Sequence, residues 1–223
     1  MKSKDSRQDP RLLRDEFPSE NNWGIPTIKK NSIDMSGVEL IGYNNTKECF
    51  PYGKNKMVHF FIDDYKFLTS YDDAYAHIST QLQLYEGNAL RYVKRLAQYS
   101  HVISPDFSIR PEMPLWVQLM AVAKNRWVGA YWQSKGLSVI PSISWGDESS
   151  FEFCFLGIET GSVVAVSTLG CKRHSKEFLI GYKKMVSVVD PSAIICYGQV
   201  INGMEGNIIN FNYIFNSQSR RFA

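Results

Sequence analysis

Short apolar runs alternate along this chain with longer segments of mixed polarity. The clearest runs are 57–62 (MVHFFI), 101–105 (HVISP), 138–144, 162–168 (SVVAVST) and 192–197 (SAIICY), with a shorter one at 38–43 (VELIGY) and a last one at 208–215. Continuous rather than alternating apolarity marks strands buried on both faces, which is the condition of a parallel sheet covered by helices. Between the runs lie helical segments. One begins near Ser70 with Asp72 and Asp73 in its first turn, breaks at Gly87-Asn88 and resumes as ALRYVKRLAQY; the next is Met113–Lys135, stopped by Gly136; the last is Lys176–Val189, closed by Asp190-Pro191. The segment 149–158 (SSFEFCFLGI) reads both ways, since its phenylalanines alternate while Ser149 and Glu152 have capping-box spacing. A short helix suits the crossover that two parallel strands require. The pattern predicts a single α/β domain over 11–223, a mainly parallel sheet of about five strands flanked by helices, either a partial barrel or a doubly wound sheet. Residues 1–10 carry almost nothing apolar and read as a mobile arm. Trp23-Gly24-Ile25-Pro26 reads as an apolar anchor in a strap packed across the domain.

Composition narrows the class without choosing a function. Lys+Arg 25 against Asp+Glu 22 leaves only +3 over 223 residues, too little to demand a nucleic-acid partner. Cys49, Cys154, Cys171 and Cys196 show no C-x-x-C spacing, a reduced, cytosolic pattern. The charged start of the chain lacks the apolar region of a secretory signal. The longest apolar stretch, Met113 to Trp132, is interrupted by Lys124-Asn125-Arg126, so it predicts a core helix and no membrane partner.

A parallel sheet directs attention to the residues just after its strands, because ligands sit outside the carboxyl ends. Those residues are Asp63 and Asp64, Asp106, Trp145 with Asp147 and Glu148, Thr168 with Gly170, and Gly198 with Gln199. Asp64, Asp106 and Asp147 are the candidate catalytic acids; such a cluster could hold a divalent cation or divide into an acid and a base. Each acid taken singly also suits a helix cap. Trp145 is a candidate pocket wall, and Arg126, inside an aromatic-rich helix, is either the buried partner of those acids or a snorkelling surface cation. The loop GCKRHS, with Thr168 and Gly170 before Lys172 and Arg173, could receive a phosphate on its backbone N–H groups and cations, or is an ordinary basic turn. It is no Walker A loop, and Cys171 with His174 lacks the second pair a zinc site needs.

The segments WGIP (23–26), VHFFIDDYKF (58–67), ISPDFS (103–108), NRWVGAYWQSKG (125–136), VIPSISWGDESSFEFCFLGI (139–158) and SVVAVSTLGC (162–171) resemble, in matching order, a domain-of-unknown-function family carried by bacteriophages, plasmids and integrative elements. The resemblance implies an accessory protein of a mobile element or its host, acting in the bacterial cytoplasm, and brings no activity with it. Two function classes follow. One is an enzyme or binder of a polar, nucleotide- or sugar-like small molecule at the acidic edge of the sheet. The other is a non-catalytic nucleic-acid-binding protein using Arg91, Lys94 and Arg95, Lys172, Arg173 and Lys176, Lys183 and Lys184, or Arg220 and Arg221.

Overall fold

Seven apolar runs become seven strands. In the computed structural model, which describes residues 16–31, 33–43, 46, 53–61 and 92–212, these are β1 (Glu39–Gly42), β2 (Lys56–His59), β3 (His101–Ile103), β4 (Val139–Ile140), β5 (Val163–Ser167), β6 (Ala193–Tyr197) and β7 (Ile208–Phe211). Among the described residues two long helices alternate with them, α1 (Leu115–Ser134) and α2 (Ser175–Val189). The ambiguous segment resolves into a 3-10 helix, Glu148–Glu152, and a second one, Cys171–His174, precedes α2. Residues 92–96 are helical. The arm 1–10 and the helix expected from Ser70 lie outside the described residues.

Among the described residues every strand pairing is parallel, in the order β1-β2-β3-β4 and β5-β6-β7. The two sets join through a parallel bridge between Ser142 and Ala165, where Ile143 N donates to Ala165 O at 2.8 Å and Ala165 N to Pro141 O at 2.9 Å. The strands therefore follow one another in chain order without the reversal that defines a doubly wound sheet. Alternate residues face opposite ways. Val58, Val102 and Val139 pack outward against Trp127, Val128 and Trp132 of α1. Val164, Val166, Ile194 and Cys196 pack outward against Phe178, Tyr182, Met185 and Val189 of α2. Their neighbours Met57, Ile103, Ile140, Val163, Ala165, Ala193 and Ile195 form a separate cluster, joined by Leu40 of β1 and Ile209 and Phe211 of β7. All seven strands thus turn one face to a common interior.

That interior is curved. Three strands lie between β2 and β6, so in a flat sheet they would stand about 19 Å apart at roughly 4.8 Å per step. The rings of His59 and Tyr197 are 4.4 Å apart, and those of Phe61 and Tyr197 are 5.4 Å apart and stacked. Only a sheet rolled into a barrel wall allows this, which settles the architecture as the barrel-type alternative. At its amino end Asn31 Nδ2 donates to Val139 O at 3.2 Å, and Ile33 and Met35 join the interior cluster.

The strap is present, but its anchor is not the tryptophan. Trp23 is 49% exposed, whereas Ile25 and Ile28 are buried. Asn21 turns the chain there, its Oδ1 accepting from Trp23 N and Ile25 N, both at 3.1 Å. Ile28 then crosses α1 at Gly129, where a Cβ would approach the Ile28 Cδ1 to 2.3 Å, and its N donates to Gly157 O at 3.0 Å. The β-branched residues do the anchoring because they lie on the extended stretch that meets the helix. No helix among the described residues is long and apolar enough to cross a membrane.

Candidate functional site

Parallel strands bring all their carboxyl ends to one mouth, and the last inward-facing residues line it. His59 ends β2, Ser167 ends β5, Tyr197 ends β6 and Phe211 ends β7; Ser167, Tyr197 and Phe211 are neighbours in register. His59 is 3% exposed and packs against the rings of Phe61 and Tyr197, which also stack on each other. Its Nδ1 accepts from Phe61 N at 3.3 Å, so Nε2 carries the proton. Burial disfavours the imidazolium and pushes the pKa down to about 4, leaving a neutral N–H donor at the end of the barrel interior.

The strand ends around this layer are tied together. Thr168 N donates to Tyr197 O at 3.0 Å, Gly198 N to Phe211 O at 2.9 Å, and Asn210 Nδ2 to Gly198 O at 2.6 Å. Gly198 has φ +112°, and a Cβ on it would come within 2.5 Å of Thr168 Oγ1, so this close crossing needs glycine. Gly170, at φ 77°, turns the chain into the 3-10 helix that carries the exposed Lys172 and Arg173.

The acids named from sequence have different surroundings. Asp106, half-buried after β3, is close enough to Cys171, after β5, that its charge adds to burial in pushing the thiol up. Two rim loops therefore meet there. Asp147 is exposed and caps the 3-10 helix, its Oδ1 accepting from Ser149 N at 3.0 Å and from Ser149 Oγ. Asp64 lies outside the described residues. Among the described residues no three His, Cys, Asp or Glu side chains are grouped to hold a metal ion.

Trp145 stands in the outer layer. Its ring packs 5.0 Å from that of Phe178, and its indole fills the space a Cβ on Gly181 of α2 would take. Arg126 is 2% exposed, which overturns the snorkelling alternative, and its hydrogen-bond partners among the described residues are not acids. Its Nη1 donates to Ser142 O at 2.8 Å and to Asn125 Oδ1, its Nε to Leu156 O at 2.9 Å and its Nη2 to Cys154 O at 3.1 Å. Asn125 in turn donates to Pro105 O at 2.6 Å and Ser142 Oγ at 2.7 Å. Backbone carbonyls satisfy the guanidinium in place of the expected carboxylate, and burial lowers its pKa to about 10, still a cation. This pair fixes α1 to the ends of β3 and β4 and to the loop beyond the 3-10 helix.

His59, Phe61 and Tyr197 were not among the residues singled out from sequence. The signal was a histidine at an inward position of an otherwise apolar strand, visible only once the parity of Met57 and Phe61 assigns the inside.

The molecule is thus a parallel α/β barrel-type protein whose carboxyl mouth is floored by a neutral histidine among aromatic rings and rimmed by polar loops. The chain belongs to the family described as Domain of unknown function (DUF4417), whose model matches residues 17–214. It is similar to the Gene 1 protein of Mycobacterium phage L5, 32% identical over 192 residues covering 84% of this chain and 76% of that protein. It is also similar to the Gene 1 protein of Mycobacterium phage D29, 28% identical over 191 residues covering 84% of this chain. The match spans 65% of the D29 protein, so less than two thirds of that relative's length. No solved structure matches.

Proposed function

We propose that this protein binds a small polar ligand, nucleotide- or sugar-like, at the carboxyl mouth of its barrel, serving as an accessory protein of a phage or related mobile element in the cytoplasm of the bacterial host. The observation that carries this reading is the buried, neutral His59 enclosed by Tyr197 and Phe61 in the last interior layer. A purely structural position there would favour an aliphatic side chain, like the Met57 and Ile195 beneath it. A neutral Nε2–H is suited to donate to a hydroxyl, carbonyl or phosphoryl oxygen without the desolvation cost of a buried charge. In this reading Asp64 and Asp106 supply rim carboxylates, with or without a divalent cation between them, and Thr168, Gly170, Lys172 and Arg173 receive an anionic group. Asp147, Trp145 and Arg126 hold the loops that shape the rim.

The test is a thermal-shift series with nucleoside phosphates and sugar phosphates, each with and without Mg²⁺. A ligand that binds the folded state raises the melting temperature by mass action. We expect at least one compound to do so, and the shift to disappear in His59→Phe and Asp106→Asn. If no member of either class raises the melting temperature, or if the shift persists unchanged in both variants, the mouth is not the binding site.

A further inference from the structure

Away from the barrel interior, the segment 171–189 carries five cations, Lys172, Arg173, Lys176, Lys183 and Lys184, against one carboxylate, Glu177. All five are exposed, and none of their side chains has an ion-pair or hydrogen-bond partner among the described residues. On α2, residues 176, 180, 183, 184 and 187 fall on one ridge by their helical spacing. That ridge is opposite the buried face of Phe178, Tyr182, Met185 and Val189. Solvated helix faces normally mix both signs, with acids four residues before the lysines. Here Ile180 stands four residues before Lys184, and Leu179 four before Lys183.

We propose that this ridge, with the 3-10 helix leading into it, docks on the phosphate backbone of duplex nucleic acid. The proposal goes beyond the barrel-mouth reading and rests on different residues. Lys176 and Lys184 are about 12 Å apart along the helix at roughly 1.5 Å per residue. Over that length a duplex presents about seven phosphate charges, at one per roughly 1.7 Å of axis. A lipid surface fits less well, because an interfacial helix inserts its apolar face and that of α2 is buried against β5 and β6. A protein partner fits less well too, since lysine is depleted from such interfaces whereas a line of point charges suits phosphates. The contact rests on charge against the phosphate backbone, which is the same in every sequence.

The test uses the full chain and a labelled random-sequence duplex of about thirty base pairs, titrated at several salt concentrations. With all five cations on phosphates, the slope of log affinity against log salt is about −4.5, a loss of roughly 500-fold between about 50 and 200 mM salt. In Lys176→Gln/Lys183→Gln/Lys184→Gln the slope should flatten by about 2.7, with the melting temperature unchanged because all three side chains are exposed. Arg110→Gln, which removes an exposed cation elsewhere, should bind as the parent does. Absence of binding at about 50 mM salt, an unchanged slope in the triple variant, an equal loss in Arg110→Gln, or tighter association with phosphatidylserine vesicles than with the duplex would each overturn the proposal.

Discussion

His59 concentrates the tension of this fold in one side chain: a titratable ring at a position where its neighbours in the strand are apolar. Its pKa falls from 6.5 to about 4 because burial disfavours the charged form. The sign of the linkage follows. Between those values the unfolded chain takes up a proton that the folded chain refuses, so stability is fully present above pH 6.5 and is lost as pH falls toward 4. The span corresponds to roughly 3 kcal/mol at about 1.4 kcal/mol per unit. Carboxylates also contribute to acid unfolding, so the informative quantity is a difference between variants. His59→Gln should narrow the gap between urea unfolding free energies at pH 7 and pH 4.5 by about 2 to 3 kcal/mol. An unchanged gap would mean that the ring titrates normally and is reached by water. Arg126 shows the contrasting solution, a permanent cation made tolerable by carbonyls and one amide oxygen instead of an opposite charge.

Between elements, Trp145 of the loop after β4 packs on α2 at Phe178 and at Gly181. An alanine within a helix is ordinarily favoured over glycine by about 1 kcal/mol. At Gly181 the added Cβ would lie 2.1 Å from Trp145 Nε1 and 2.2 Å from Cδ1, atoms of a rigid ring held between Phe178 and Phe155. Gly181→Ala should therefore destabilise by about 1 to 3 kcal/mol, and most of that cost should vanish in a Trp145→Ala background, where the normal propensity gain returns. Equal effects of Gly181→Ala in both backgrounds, measured by chemical denaturation, would show that the indole moves freely and is available to a ligand.

The same contact shows what sequence can and cannot convey. The runs at 57–62, 101–105, 138–144, 162–168 and 192–197 were legible as strands because burial on both faces leaves no polar alternation, and α1 and α2 were legible from their apolar stripes and stops. Trp23 was misjudged, and the layer of Trp145 was hidden, for one reason: local text reveals that an aromatic residue is present but not which layer receives it. Trp145 sits outside the barrel because Gly181, 36 positions later, leaves room for it, and Trp23 stays exposed because Ile28 finds Gly129. Asp147 was legible as both a site acid and a cap, and its hydrogen bonds to Ser149 show the cap. His59 was hidden because inward and outward positions of a doubly buried strand look alike in composition.

At the scale of the molecule, the decisive contact is non-local. Three strands intervene between His59 on β2 and Tyr197 on β6, yet their rings meet at 4.4 Å because the whole sheet rolls until its inward faces touch. Both the mouth and its candidate chemistry depend on that curvature: an open sheet would leave the two rings about 19 Å apart and both wet. A double-mutant cycle turns this into a measurement. Taken alone, His59→Ala and Tyr197→Ala each remove a buried ring, and Tyr197→Ala should cost about 3 to 5 kcal/mol through the cavity it leaves. If the rings touch across the barrel, the double variant should depart from the sum by about 0.5 to 1.5 kcal/mol, the scale of a buried aromatic contact. A parallel cycle between His59 and Val189, which lies on the buried face of α2 in the outer cluster, should be additive. Additivity of the His59 and Tyr197 substitutions to within about 0.3 kcal/mol would mean that the sheet is open in solution, and with it the mouth as a binding site would be lost.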